Sequence, residues 1–240
     1  MNEQDLETLI SECLNNFYKN RLKAIQDLKL IDVLSRKNPY LFRAIGTENA
    51  SEIVEHILRA HLSSSDETIF GNEFFEPIAR IASGGKTSIG AGIDVVIETD
   101  TKVMAIAVKS GGNWGNADQH KKLNSRFMEV RNRLYKINKS FDAVIGHGYG
   151  TKKRDPSPER IYRDISGQTF WTEITGDPDF YLKLVRMMKD EPQKHKAEFQ
   201  SGWYATINKF TQQFISNFCH PDFTIDWEKL TKLNSGGTIH

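Results

Sequence analysis

The stretch that decides the fold runs from Gly92 to Asn116, GIDVVIETDTKVMAIAVKSGGNWGN. In its first part Ile93, Val95 and Ile97 alternate, with Val96 the one apolar residue on the other face. A period of two predicts a strand over 92–99 with one face buried. From Val103 to Val108 the chain is continuously apolar, as expected of a strand buried on both faces. Asp100-Thr101-Lys102 supplies the turn between them. A turn centred on Thr101 and Lys102 sets Asp94 directly opposite Lys109. Residues so opposed have Cβ atoms ~4.5–5.5 Å apart and point to one face. A carboxylate and an ammonium at the end of a buried hairpin are costly unless paired, metal-bound or at a wet cleft.

Helices are expected on either side of this hairpin. Leu6, Leu9, Ile10, Cys13, Leu14 and Phe17 recur at helical spacing over residues 4–18. Pro39 closes whatever precedes KNPYLFRA. A second helix is predicted from Asn49, with Glu52 completing a capping box, to about Leu62. Ser63 to Ser65 then break the chain and offer a cap for the next element. That element, Asp66 to Ala82, contains Pro77 and must kink or restart near Glu76, because an interior proline costs ~3 kcal/mol. After the glycine-rich loop KSGGNWGN a long helix is predicted over 117–139, burying Leu123, Phe127, Val130, Leu134 and Ile137. FDAVIGHGYG reads as a strand running into a loop, TKKRDPSPER as a basic loop, and FWTEI as a short strand before further helices. The expected organisation is a helical region over 1–62, a core over 63–180 and a mostly helical region over 181–240. The expected fold is α/β, a mixed central β-sheet flanked by helices.

Composition narrows the class. Of 240 residues, 38% are hydrophobic and 26% charged, with 7 Pro, which excludes a disordered or collagen-like chain. Mean hydropathy is −0.51, and no apolar run approaches ~18 residues, so no spanning helix is expected. MNEQDLETLI is acidic and amphipathic, unlike a secretory signal. The two cysteines, Cys13 and Cys219, form no CxxC pair, which excludes a disulfide framework and a Cys-rich zinc site. A cytoplasmic, reduced setting is expected. Net charge is +1, but from Lys109 to Arg163 there are 13 Lys+Arg against 5 Asp+Glu. This local excess of +8 suggests one face built for a polyanion.

The hairpin admits two readings. One is a cross-strand ion pair at a sheet edge, worth ~0–1 kcal/mol if exposed. The other is a metal-dependent phosphodiesterase. Asp94 would bind a divalent cation, and Lys109 would orient or deprotonate the attacking water and steady the phosphate. Asp, strand, turn, then an apolar strand ending in x-x-Lys resembles the PD-(D/E)xK nuclease superfamily. In that pattern the residue two before the lysine is acidic; here it is Ala107. Longer runs narrow the likeness: KNPYLFRA (37–44), SSSDETIFGN (63–72), GID (92–94), VKSGGNWGN (108–116) and GQTFWTEITGD (167–177). Together, over roughly residues 34–180, they resemble the PmeII-type family of type II restriction endonucleases.

That resemblance implies a restriction-endonuclease-like core and Mg²⁺-dependent cleavage of double-stranded DNA at a fixed sequence. It further implies a two-fold dimer, a cognate DNA methyltransferase in the same system, and a bacterial or archaeal host. It also implies that a small residue at position 107 is a family trait. Metal ligands are then expected from Asp94, the Val108 carbonyl and an acid elsewhere. Glu76, in GNEFFEP, is the first candidate, followed by Glu73, with Asp118 and Glu129 on the following helix as the other option. Gln119 is expected to hold the Lys109 amine or a phosphate. Asn113, Lys152, Lys153 and Arg154 are expected to contact DNA. Trp114 braces the loop or stacks on a base, His147 is a structural histidine or a general acid, and Arg43 and Arg126 join the candidates for base readout. GGKTS (84–88) imitates a phosphate-binding loop, but Arg80 stands where its first glycine belongs. Cys219-His220 lacks partners at ligand spacing. A repair or junction-resolving nuclease of the same fold, or a decayed DNA-binding module, are the competing functions.

Overall fold

Helices open the chain. The computed structural model describes residues 1–87, 90, 92–134 and 139–237. The elements in chain order are α1 (Glu3–Gln26), α2 (Leu30–Leu34), α3 (Pro39–Ala44), α4 (Ala50–Phe70), a π-helical turn (Gly71–Phe75), α5 (Glu76–Ala82), β1 (Lys86–Thr87), β2 (Val95–Glu98), β3 (Lys102–Lys109), α6 (Ala117–Leu134), β4 (Ser140–His147), β5 (Lys153–Arg154), β6 (Tyr162–Ser166), α7 (Gly167–Thr175), α8 (Phe180–Met188), α9 (Glu191–Phe218) and α10 (Trp227–Asn234). The chain divides into two compact units, one of residues 1–17 and 67–192, the other of 18–66 and 193–240.

The first unit holds a six-stranded mixed sheet in the order β1-β2-β3-β4-β6-β5. β3, β4 and β6 run parallel, and β1, β2 and β5 are antiparallel to their neighbours. One face carries Val95, Met104, Ile106, Val108, Val144 and Ile165 into a cluster with the α1 stripe, Phe74, Ile78 and Trp171. The other carries Ala105, Ala107, Ala143 and Ile145 into a cluster with Leu123, Phe127 and Val130 of α6. Alternation along β3 therefore fills two apolar layers, which accounts for its unbroken apolar run. The parallel register sets Lys109 beside His147 and His147 beside Ser166, so three strands end together. In such sheets ligands bind outside the carboxyl ends of the strands.

Several expectations need correction. The serines do not break α4: Ser65 Oγ donates back to the Leu62 carbonyl at 3.1 Å, and the helix continues to Phe70. Its buried stripe of Ile53, Val54, Ile57, Leu58 and Leu62 outweighs the modest cost of serine in a helix. Asn49 accepts from Ser51 N–H rather than closing a box with Glu52. Pro39 begins a helix, at whose start Asn38 accepts from Leu41 N–H. The restart near Glu76 is present: the π-helical turn, closed by Glu76 N–H on the Gly71 carbonyl, widens the helix just before Pro77. FWTEI is helix, not strand. Phe170, Trp171 and Ile174 share its buried face, and Gly176 ends it at φ 76°. Helix α6 stops being described at Leu134, and Ile137 lies outside the described residues, as does Ser88 of GGKTS. TKKRDPSPER contributes the edge strand β5.

The second unit is helical. Its core joins Ile25, Leu30, Leu34, Ile53, Ile57 and Leu62 with Trp203, Phe210, Phe214, Phe218 and Leu230. Asn234 Nδ2 donates to the carbonyl of Leu34 at 2.8 Å and also to that of Lys37, which fastens α10 to the end of α2. Arg43 stacks on Trp227, 5.6 Å from the ring centre, and Cys219 bridges to Ile225 in a short antiparallel contact.

Candidate active site

The hairpin register differs from the expected one. Thr99 N–H donates to the Lys102 carbonyl at 2.9 Å and Lys102 N–H to Thr99 Oγ1 at 3.1 Å, so Asp100 and Thr101 form the tip. The ladder then pairs Val95 with Ile106, not with Val108, and Asp94 does not stand directly opposite Lys109. It precedes the ladder, its N–H on the Ile106 carbonyl at 2.8 Å. The two side chains meet nonetheless, because where the strands part the Asp94 carboxylate replaces a main-chain acceptor. Its Oδ2 takes Val108 N–H at 2.7 Å and lies 3.4 Å from Lys109 Nζ. Lys109 Nζ also donates to the Val108 carbonyl at 2.7 Å and stands 5.2 Å from the Trp114 ring centre. Two of three ammonium donors are thus engaged. Asp94 Oδ1 makes no hydrogen bond among the described residues.

Glu76 belongs to the same electrostatic group. Burial pushes its carboxyl above the ordinary range; the charges of Asp94 and Glu73 push it further, against Lys109 and Arg80. Ala107 is fully buried in the α6-side cluster with Ile93, Leu123 and Phe127. That position is closed to a charged ligand, so an acid for this site must come from another element. Asp94 and Glu76 are hard oxygen donors whose charges repel, which suits a divalent cation. Mg²⁺ commonly takes one or two carboxylates and completes its shell with water and substrate phosphate. Among the described residues no group of three or more His, Cys, Asp and Glu is arranged to hold a metal alone. The Val108 carbonyl already receives Lys109 and keeps one lone pair.

A cleft of about 420 Å³ opens beside Lys109, lined by Glu67, Thr68, Gly71, Asn72, Asn113, Trp114 and Tyr149 among others. Glu67 was not singled out from sequence; it falls in the element expected over Asp66–Ala82, where nothing local marks it out. Ser110 Oγ donates to its Oε2 at 2.6 Å, and Tyr149 OH lies 3.3 Å from both its oxygens. Asn113 lines the cleft and is exposed. Gln119 caps α6: its Oε1 accepts Asn116 N–H at 2.9 Å and its main-chain N–H donates to Asn116 Oδ1 at 3.0 Å. Asp118 and Glu129 are exposed on α6 and do not line the cleft. Lys153 and Arg154 are exposed on β5, while Lys152 Nζ donates to the Gly112 carbonyl at 3.0 Å. His147 is fully buried, between the Gly111 carbonyl at 3.0 Å and Asp164 Oδ1 at 3.3 Å. Trp114 meets His120 edge-on at 5.3 Å, the bracing arrangement. The Arg126 guanidinium lies against Gly92, whose φ of 75° favours glycine.

Residues 4–196 match a family model described as type II restriction endonuclease EcoO109I. No curated protein sequence matches the chain. No described helix is long and apolar enough to cross a membrane.

Proposed function

The chain belongs to the EcoO109I family of type II restriction endonucleases, and on that premise we propose that it cleaves both strands of DNA at a specific sequence with Mg²⁺. The observation that carries the reading is Lys109, held between the Asp94 carboxylate and the Val108 carbonyl at the rim of an open cleft. VKSGGNWGN and GQTFWTEITGD support the PmeII-type group within these enzymes. Asp94 and Glu76 would hold the cation, with the Val108 carbonyl as a further oxygen. When bound, Mg²⁺ supplies charge stabilisation on the phosphoryl oxygens as negative charge develops. The remaining ammonium donor of Lys109 orients the attacking water. The water oxygen bonds to phosphorus as one ester P–O bond breaks, and the leaving oxygen takes up a proton. Lys153 and Arg154, exposed on the edge strand, and Asn113 in the cleft contact the DNA, positioning it more than reading it. A two-fold dimer suits a palindromic site, and a cognate methyltransferase protects the host's own copies.

Incubating the full chain with phage-length duplex DNA, with Mg²⁺ and separately with EDTA, tests this. Discrete fragments with Mg²⁺ alone are expected. Intact DNA in both, with a shift on a native gel, would favour a binding module in which the loss of the acid at Ala107 ended catalysis.

A further inference from the structure

The loop that follows Lys109 is tied down by its oxygens. Gly148 N–H donates to the Lys109 carbonyl at 2.8 Å and Tyr149 N–H to the Ser110 carbonyl at 3.3 Å. His147 Nδ1 meets the Gly111 carbonyl and Lys152 Nζ the Gly112 carbonyl, each at 3.0 Å. Four successive carbonyls are therefore claimed by one segment, residues 147–152. Among the described residues there are no cis peptide bonds, and in a planar trans peptide the N–H points opposite to the preceding C=O. The N–H groups of Gly111, Gly112 and Asn113 accordingly point away from residues 147–152. Among the described residues none of the three donates to a protein acceptor. Gly111 and Gly112 are half-buried and Asn113 is exposed, so it is the first two N–H groups, left without protein partners, that call for a ligand or water. Successive N–H groups facing one way form a concavity that suits an anion.

We infer that Gly111–Asn113 forms a main-chain cradle for a phosphate of the DNA backbone, held open by His147 and Lys152 as positioning residues. This rests on the nuclease reading for the identity of the anion. Gly111 and Asn113 line the cleft together with Lys109, so the cradle lies beside the proposed reaction centre. Three donors with no acceptor among them fit phosphate oxygens better than a base edge, which mixes both. A Cβ at position 111 would come 2.4 Å from the Tyr149 hydroxyl, so a side chain there would have to push the exposed Tyr149 ring aside. Glu67 also lines the cleft, its carboxylate accepting from the Ser110 and Tyr149 hydroxyls. Behind the loop, Asp164 anchors His147 and also receives Arg160 Nη1 at 3.2 Å. Lys152, expected from sequence to meet a phosphate directly, acts instead through the Gly112 carbonyl.

The test is an amide ¹H–¹⁵N spectrum of the full chain in EDTA, titrated with inorganic phosphate and with a short duplex DNA. Downfield shifts of the Gly111, Gly112 and Asn113 amide protons are expected with both probes, saturating with the duplex. Lys152→Met should lose these shifts and weaken duplex binding about tenfold, ~1.4 kcal/mol, while Lys152→Arg restores both. Duplex binding that moves other amides but not these three overturns the cradle, even if the enzyme cuts DNA. A fall of about one in the salt slope of Lys152→Met would instead make Lys152 a direct phosphate contact and overturn its tying role. Shifts at these amides in a protein that never cleaves would uphold the cradle and remove the nuclease reading.

Discussion

At the start of β4, Asp142 is gripped by Lys102 at 2.6 Å and by Arg163 at 2.8 and 2.9 Å, and Arg163 turns its other edge to Glu173 at 2.8 Å. At the end of the same strand, Lys109, His147 and Lys152 each reach a main-chain carbonyl. The first network closes on itself, every charge answered by an opposite charge. In the second, two lysines and an imidazole are spent on carbonyls and a carboxylate on Val108 N–H. Among the described residues that leaves an Asp94 oxygen, a Lys109 donor and three amides without protein partners. One end ties the sheet together, and the other, on the proposed reading, faces a ligand.

If the contrast holds, substitutions at the two ends must separate activity from stability. Lys109→Ala and Asp94→Asn should each lower single-turnover cleavage by ~10²–10³-fold or more, with little change in Tm. Asparagine is chosen because its oxygen still accepts Val108 N–H. Cleavage near the wild-type rate by either variant would break the comparison. Asp142→Ala should do the reverse, costing ~1–3 kcal/mol by removing the acceptor that Lys102 and one edge of Arg163 share, yet leaving cleavage per folded molecule unchanged at low temperature. Burial alone would raise the Asp142 carboxyl, but hydrogen bonds from Arg163 and Lys102 and their charges hold it below the ordinary range. Its contribution is therefore present above the unfolded carboxylate range and lost as pH falls through the folded value. Thermal melts of variant and wild type should converge in acid.

Much of the active end was legible in the sequence because it is local. Two strands joined by a two-residue tip bring Asp94 and Lys109 together whichever of two registers forms, since both keep parity. The choice between them hung on Thr99, whose backbone and side chain both engage Lys102. Pro77 announced the restart at Glu76 because it lacks an N–H. Glu67, Tyr149 and Asp164 were invisible, since contacts across 43 or 82 positions have no local signature. The partner of Lys152 was hidden for the same reason: a lysine in a basic run reads as a DNA contact, and the Gly112 carbonyl it reaches lies 40 residues earlier. FWTEI deceived through composition, as aromatic and β-branched residues favour strands, whereas the spacing of Phe170, Trp171 and Ile174 was helical all along.

The smallest and sharpest test concerns Glu76, which sits at the active end but behaves oppositely to Asp142. Its carboxyl is raised, first by burial and then by Asp94. A folded state that holds a proton more tightly than the unfolded chain loses stability as pH rises through the unfolded and then the folded value. Above both, the ionised carboxylate is a standing cost. Glu76→Gln should therefore melt higher than wild type at pH 8 in EDTA, and the difference should vanish in acid, where wild type is protonated too. Mg²⁺ should raise the wild-type Tm more than that of the variant, since the cation relieves the repulsion that glutamine has already removed. Cleavage should fall even as the protein gains stability. A variant that melts lower than wild type at pH 8 would mean that Glu76 is held by favourable contacts, as Asp142 is, and would leave Asp94 as the sole proposed carboxylate ligand.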